Sequence, residues 1–262
     1  MAVAYERIAD TLRQSIRAGR LKPGERLPSE AKLAEEFRRS VPTVRDALRV
    51  LQDEGLIEKQ HGRGNFVRRR RTLALRTNLR HQWEKNRARK PLEQRARTGA
   101  TEQDTGLQVD DLVFSASYRE IEANEDLARA FGLPAGTTLL ERIYRTRCTA
   151  ESAPFSLVTS YLVHDLIAQN PDLLDETKEP WPGGSQSQLH SVGIELDRIE
   201  ERVTARPPMP EEAEELELPP GTSVLVLRKT SYDTHDRAVG VSYVILPGDR
   251  TEMLFTTSLE RW

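Results

Sequence analysis

Residues 27–67 read LPSEAKLAEEFRRSVPTVRDALRVLQDEGLIEKQHGRGNFV, and their signals come in the order short helix, longer helix, glycine-tipped hairpin. Ser29 stands where a hydroxyl caps the orphan amides of a helix, with Glu30 in the first turn favoured by the helix dipole. Leu33, Ala34 and Phe37 recur at the spacing of one buried side. Ser40 or Val41 opens the next helix, and Pro42 is tolerated in its first turn because the missing amide hydrogen would have had no intrahelical partner there. Val44, Ala47, Leu48 and Leu51 face inward, which leaves Pro42, Arg45, Asp46 and Arg49 outward with Thr43 at the leading end. Gly55 ends that helix. Leu56, Ile57, Phe66 and Val67 flank His61-Gly62-Arg63-Gly64, where two glycines permit positive φ at a tight tip.

Working upstream, Tyr5, Ile8, Ala9, Leu12 and Ile16 lay one apolar stripe along a first helix, stopped by Gly19 before a Pro23-Gly24 turn. The whole order is a winged helix-turn-helix. A helix with a cationic outer face, followed by a basic hairpin, has the shape and charge to enter a groove of double-stranded DNA. The candidate DNA contacts are Ser29, Lys32, Ser40, Pro42, Thr43, Arg45 and Arg49, with His61, Gly62, Arg63 and Gly64 in the wing. The bland alternative is a solvated helix face beside an ordinary edge hairpin.

On PGERLPSE, KLAEEF, PTVRDALRVLQDEGLI and GRGNFV, residues 4–67 resemble the winged-helix domain of the GntR family of bacterial transcription regulators. The resemblance implies that Thr43 and Arg45 lie in the recognition helix and Gly62 and Gly64 in the wing. Two positions depart from the family pattern: Ala31 replaces a frequent arginine, and Val41 stands where Ser-Arg usually opens the recognition helix. Losing a bidentate guanine contact shifts base preference by roughly 1 to 3 kcal/mol, so the target sequence is expected to differ from the common one.

At 262 residues the chain suits two domains. Residues 1–97 hold 25 Lys+Arg against 12 Asp+Glu, whereas the remainder holds 14 against 29. The overall net charge of −2 therefore conceals a basic half suited to nucleic acid and an acidic half that is not. A single cysteine, Cys148, excludes an internal disulfide and a thiolate zinc cluster, which fits a reducing cytoplasm. The five scattered histidines suggest no metal site, and no cofactor motif is present. No stretch approaches the ~20 apolar residues of a membrane span, so the expected location is cytoplasmic, with no membrane partner. Residues 68–71 are all arginine, and 71–106 continue basic with one aromatic, Trp83. That segment reads as a linker between domains at 1–70 and 107–262, either flexible and solvated or adding phosphate contacts near the wing.

The second domain contains a repeat at an offset of 85 residues. Leu133-Pro134-x-Gly136-Thr137-x-x-Leu140 recurs as Leu218-Pro219-x-Gly221-Thr222-x-x-Leu225. Each copy follows a short helix, NEDLARAF or EEAEEL, and precedes a strand, a polar turn and a second strand. With further strands near 109–119 and 195–206, about six mostly antiparallel strands are expected, with helices covering one face. The fold class is thus α+β with two domains, and a ligand cleft is expected where the two halves meet. EEAEELE reads as a solvated acidic helix, Ser187 and Ser191 as helix surface, and Trp181-Pro-Gly-Gly as a loop.

On LPAGTTLLERIYRTR, the following SYL, LELPPGTSVLVLRKTSYD and PGDR, residues 105–260 resemble the UTRA effector domain of the HutC subfamily, which shares its fold with chorismate lyase. The resemblance implies a small anionic effector of unknown identity, held by an Arg-x-Arg pair that falls on Arg145 and Arg147. Two guanidiniums two residues apart in a strand share a face, so both can grip one anion; equally, they can pair with the domain's acidic residues. Tyr161, Ser242, Asp249 and Arg250 are further candidates for the lining, with Asp249-Arg250 equally readable as a structural turn pair. Val158 and Gly240 occupy positions where sugar-binding members carry glutamates, which points to a different effector or none. The expected function is a homodimeric repressor reading a pseudo-palindromic operator. The alternatives are a constitutive repressor without ligand and a lyase-like enzyme fused to a DNA-binding domain.

Overall fold

The computed structural model describes residues 4–69 and 71–260; Arg70 of the arginine run lies outside them. The chain divides into two compact units, one comprising the chain up to Thr72 with Glu217–Thr222, the other Leu73–Leu216 with the remainder from Ser223.

In the first unit, α1 (Ala4–Arg17), α2 (Glu30–Glu36) and α3 (Val41–Asp53) precede a hairpin of β1 (Ile57–Gln60) and β2 (Gly64–Val67). The predicted stripes close into one core: Ile8, Ala9, Leu12, Leu27, Leu33, Val44, Ala47, Leu48, Leu51, Ile57 and Val67 are buried together. Ser29 caps α2 by accepting from the Lys32 amide at 3.3 Å, and Ser40 caps α3 by accepting from the Thr43 amide at 3.4 Å. A bridge between Arg26 and Phe66 adds backbone pairing to the hairpin.

The second unit begins with a segment that is not the solvated linker of one sequence reading. Residues 73–106 form β3 (Ala74–Thr77), α4 (Arg80–Ala88), α5 (Leu92–Ala96) and α6 (Ala100–Thr105). Next in the chain come β4 (Leu112–Glu122), α7 (Glu125–Phe131), β5 (Thr138–Cys148), β6 (Leu157–Val163) and α8 (His164–Ile167). The remaining elements are α9 (Gly184–Ser191), β7 (Leu196–Arg206), α10 (Pro210–Glu215), β8 (Val224–Asp233), β9 (Ala238–Pro247) and β10 (Thr251–Leu254). β3 runs parallel to β10, with Ala74 opposite Thr251, so the segment is stitched to the far end of the chain.

Six of the strands form one sheet in the order β4-β5-β6-β9-β8-β7, every pair antiparallel. The order is a palindrome of the sequence repeat: β4-β5-β6 with α7 is one copy, β7-β8-β9 with α10 the other, and the copies join at β6 and β9. Both faces are covered, where the sequence suggested one. α7 packs Leu127, Ala128 and Phe131 against Leu139, Val163 and Val241. On the opposite face, Ile167 of α8 and Leu189 of α9 pack against Leu140 and Leu162. Gly240 belongs to that second packing: a Cβ there would lie 3.2 Å from Leu162 Cδ2.

Candidate DNA-binding surface and effector cavity

In the first unit α3 exposes the expected face. Pro42, Arg45 and Arg49 are exposed and Thr43 is half-buried, its hydroxyl 2.8 Å from that of Ser40. Arg45 is paired with Glu30 at the start of α2, which accepts from its Nη2 at 2.8 Å and its Nε at 3.2 Å. That hydrogen bond also raises the Arg45 pKa. Arg49 pairs with Asp46 one turn back at 3.2 Å. Lys32 is exposed on α2.

At the wing, Gln60 faces Gly64 and the tip is His61-Gly62-Arg63, all exposed. Gly62 has φ +72° and Gly64 φ +111°, the second a conformation that strains any residue with a Cβ. Three contributors were missed by the sequence reading. Arg26 lies alongside the tip, its Nε 3.3 Å from where a Cβ on Gly64 would sit. Gln52 donates to the Oδ1 of buried Asn65 at 2.9 Å and so ties the wing to α3. Glu30 sets the Arg45 side chain; its only sequence signal was its place in a first helical turn.

In the second unit a cavity of about 530 Å³ lies on the sheet face opposite α7. Residues of α4 (Arg80, Glu84, Arg87) and the start of α6 contribute to its wall with Glu179, Pro180 and Trp181, and a smaller chamber of about 150 Å³ shares Arg80, Tyr144, Lys229 and Ser242 with it. It spans the join between the two halves, as the repeat implied.

Strand register arranges the floor in rows. One row crosses the sheet through Tyr118, Arg142, Ser160, Ser242, Lys229 and Glu201. The adjacent row, two residues along each strand, runs through Tyr144, Val158, Val244 and Leu227. A polar row therefore lies beside an apolar one, roughly 7 Å away at strand rise.

Arg142 is completely buried. Its Nη1 donates to Gln188 Oε1 at 2.7 Å and its Nη2 to Ser160 Oγ at 3.5 Å, while its guanidinium lies 5.5 Å from the Tyr144 ring centroid. The Gln188 amide in turn donates to Glu179 at 2.7 Å, which also accepts from the Tyr118 and Tyr144 hydroxyls. Burial, and then that carboxylate, push the Tyr118 hydroxyl up to about 12. Burial lowers the Lys229 pKa, against the opposing pull of the Glu84 and Glu201 charges. Arg80 pairs with Asp104 and Glu84, and burial together with Arg80 pushes Arg76 down to about 10.

Of the six effector residues expected from sequence, Ser242 lines this cavity. Arg145 and Arg147 do not, because their strand parity turns them to the other face. Arg145 is held by Glu215 of α10 at 2.5 Å, and Arg147 donates to the carbonyls of Cys148 and Glu151. Tyr161 is on that face too, donating to Glu141 at 3.0 Å and packing edge-on against Tyr243. Arg250 is fully buried against the Phe155 ring and pairs with Glu151 at 2.7 Å, and Asp249 precedes it in the turn after β9. Val158 is a cavity residue, as is Trp181 from the expected loop. Ser187 is not surface: it is buried in α9 and accepts from Arg95. Glu212 of the acidic helix is likewise buried, gripped by Arg206 at 2.6 Å through both oxygens. Among the described residues no group of acidic, histidine or cysteine side chains could hold a metal, and no helix is long and apolar enough to cross a membrane.

Comparison with known proteins bears on both sites. Residues 4–67 match the family of bacterial regulatory proteins, gntR family, and residues 115–252 match the UTRA domain. An HTH-type transcriptional regulator of Streptomyces coelicolor is 28% identical, the alignment covering 95% of this chain and 90% of that one. The HTH-type transcriptional repressor NagR of Bacillus subtilis is 27% identical, covering 94% and 91%. Among solved structures, a GntR-family transcriptional regulator superposes with a TM-score of 0.63 at 25% identity, covering 98% of each chain.

Proposed function

Because the chain belongs to the GntR family, with the UTRA domain behind its winged helix, and is thus a DNA-binding transcriptional regulator, we propose that it represses transcription as a homodimer relieved by a small anionic effector. One winged unit offers few base contacts, and two copies related by a two-fold axis read a pseudo-palindrome. In each copy α3 supplies direct readout through Thr43 and the pre-set Arg45, while His61, Arg63 and the neighbouring arginines hold phosphates. The effector occupies the cavity over the β6–β9 join and must bind the DNA-competent and incompetent arrangements unequally to have any effect. It works in the cytoplasm, without catalysis. The name of NagR, a repressor matched along nearly its whole length, favours repression over activation.

The observation that carries this reading is the pairing of an exposed, Glu30-oriented Arg45 with a second unit that encloses a cationic cavity. Fluorescence anisotropy with duplexes selected from random sequence tests it. A single pseudo-palindromic winner, bound with a steep salt dependence by a dimeric species, is the expected result. Equal affinity for every duplex, or a monomer on the DNA, would sink it.

A further inference from the structure

The repressor reading leaves the effector's chemistry open, and the cavity narrows it. Four lining residues have a buried side-chain atom without a partner among the described residues: Arg80 Nε, Arg87 Nε, Arg142 Nε and Trp181 Nε1. All four atoms are N–H donors, and the Lys229 ammonium, which feels the charges of Glu84 and Glu201, adds a further donor group to the same lining. Buried polar groups are normally satisfied, so the missing partner is an acceptor, not another donor. Glu179 cannot serve, since its oxygens already accept from Tyr118, Tyr144, Gln188 and the Trp181 amide.

Charge then limits the acceptor. The two joined chambers are lined by Arg76, Arg80, Arg87, Arg142 and Lys229 against Glu84, Glu102, Asp104 and Glu179. Five cations against four carboxylates make the lining cationic, with Glu201 beside Lys229 as a further acid just outside it, so the seat suits an anion of low charge. A monoanion fits that balance; a phosphate ester near its dianionic form would overshoot.

Shape supplies the rest. The polar row Arg142-Ser160-Ser242-Lys229 and the apolar row Tyr144-Val158-Val244-Leu227 lie side by side on one floor, about 7 Å apart, and Phe114 and Trp181 add aromatic wall. One aromatic ring bearing a carboxylate has that reach. Resting on the effector-cavity reading above, we propose that the ligand is a small aromatic monocarboxylate, its carboxylate over Ser160 and Ser242 between Arg142 and Lys229 and its ring over the apolar row toward Phe114 and Trp181.

The test is a thermal-shift and calorimetric series on the full chain with 4-hydroxybenzoate, phenylacetate and cinnamate, set against benzamide, inorganic phosphate and glucosamine 6-phosphate. At least one arylcarboxylate is expected to raise the melting temperature in a concentration-dependent way, with benzamide silent. Lys229→Gln should weaken that binding by about 30-fold or more, and Lys229→Arg should restore most of it; melting without ligand verifies that both variants fold. A phosphate ester that binds through Lys229 while no arylcarboxylate does would overturn the aromatic-monoanion class and leave the effector cavity standing. Arylcarboxylate binding untouched by Lys229→Gln would place the ligand elsewhere and overturn the class and the cavity together. Silence from every arylcarboxylate overturns the class.

Discussion

Ser160 on β6 and Ser242 on β9 face each other across the join of the two half-sheets, their hydroxyl oxygens 3.1 Å apart and both side chains buried. This contact carries the Arg142 end of the row across the join to Ser242, which lies opposite Lys229 on β8. Ser160 accepts from Ser242 and from Arg142, so Ser160→Ala strands two buried donors. The expected loss is about 1–3 kcal/mol, read as a lower urea midpoint. An unchanged midpoint would mean the hydroxyls are satisfied without each other.

Arg45 is held by Glu30 and presented on the outer face of α3. Arg45→Ala should reduce affinity for the preferred operator by about 1–3 kcal/mol while relaxing base choice at one position. Arg63→Ala should weaken all duplexes alike and lower the salt slope by about one. A competition assay on a panel of single-base operator variants distinguishes the two patterns; identical behaviour would refute the assignment of readout to α3.

Gly64 combines φ +111° with the Arg26 side chain beside it. Gly64→Ala forces a strained backbone and displaces Arg26, so stability should fall by more than about 1 kcal/mol. DNA affinity should fall as well. Gly62, with φ +72° and open space around it, is the milder comparison, and Gly62→Ala should cost less in the same thermal melt.

His81 on α4 is 3.1 Å from Glu201 on β7 and also faces Glu84 of its own helix, with Lys229 of β8 nearby. Burial works to lower its pKa, but the close carboxylates of Glu201 and Glu84 outweigh it and the net shift is upward. A folded pKa above the ordinary value stabilises the protein fully below about pH 6.5. That stabilisation fades as pH rises through the folded value. The difference in melting temperature between the parent and His81→Gln should therefore be largest near pH 6 and shrink toward pH 9. A constant difference would show that His81 acts only by packing.

The first unit was readable because every signal in it is local. Caps at Ser29 and Ser40, the Pro42 turn, the period of Val44, Ala47, Leu48 and Leu51, and the glycines at 62 and 64 each fix their own neighbourhood. The repeat likewise announced the order of strands and helices. What sequence could not assign was the facing of β5. Arg145 and Arg147 share a face, but which face depends on pairing with β4 and β6, far away in the chain. Because helices cover both sides of the sheet, Leu139, Leu140, Glu141 and Arg142 are all buried, and no alternation marks inside from outside. The segment 73–106 hid for a related reason: α4 turns Arg80 and Glu84 inward, where a composition rule expects charges to point to water.

The repeat also makes the ligand seat directional. Tyr144 and Lys229 stand 85 residues apart, at equivalent positions of the two copies, and the approximate two-fold of the palindromic sheet exchanges the Arg142-Ser160-Ser242-Lys229 row with the Leu227-Val244-Val158-Tyr144 row. A duplicated scaffold with identical halves would have offered a guest the same chemistry in either orientation. Divergence at these four pairs of positions turned a symmetric cradle into one with a head and a foot, so a molecule is sorted by which end it presents.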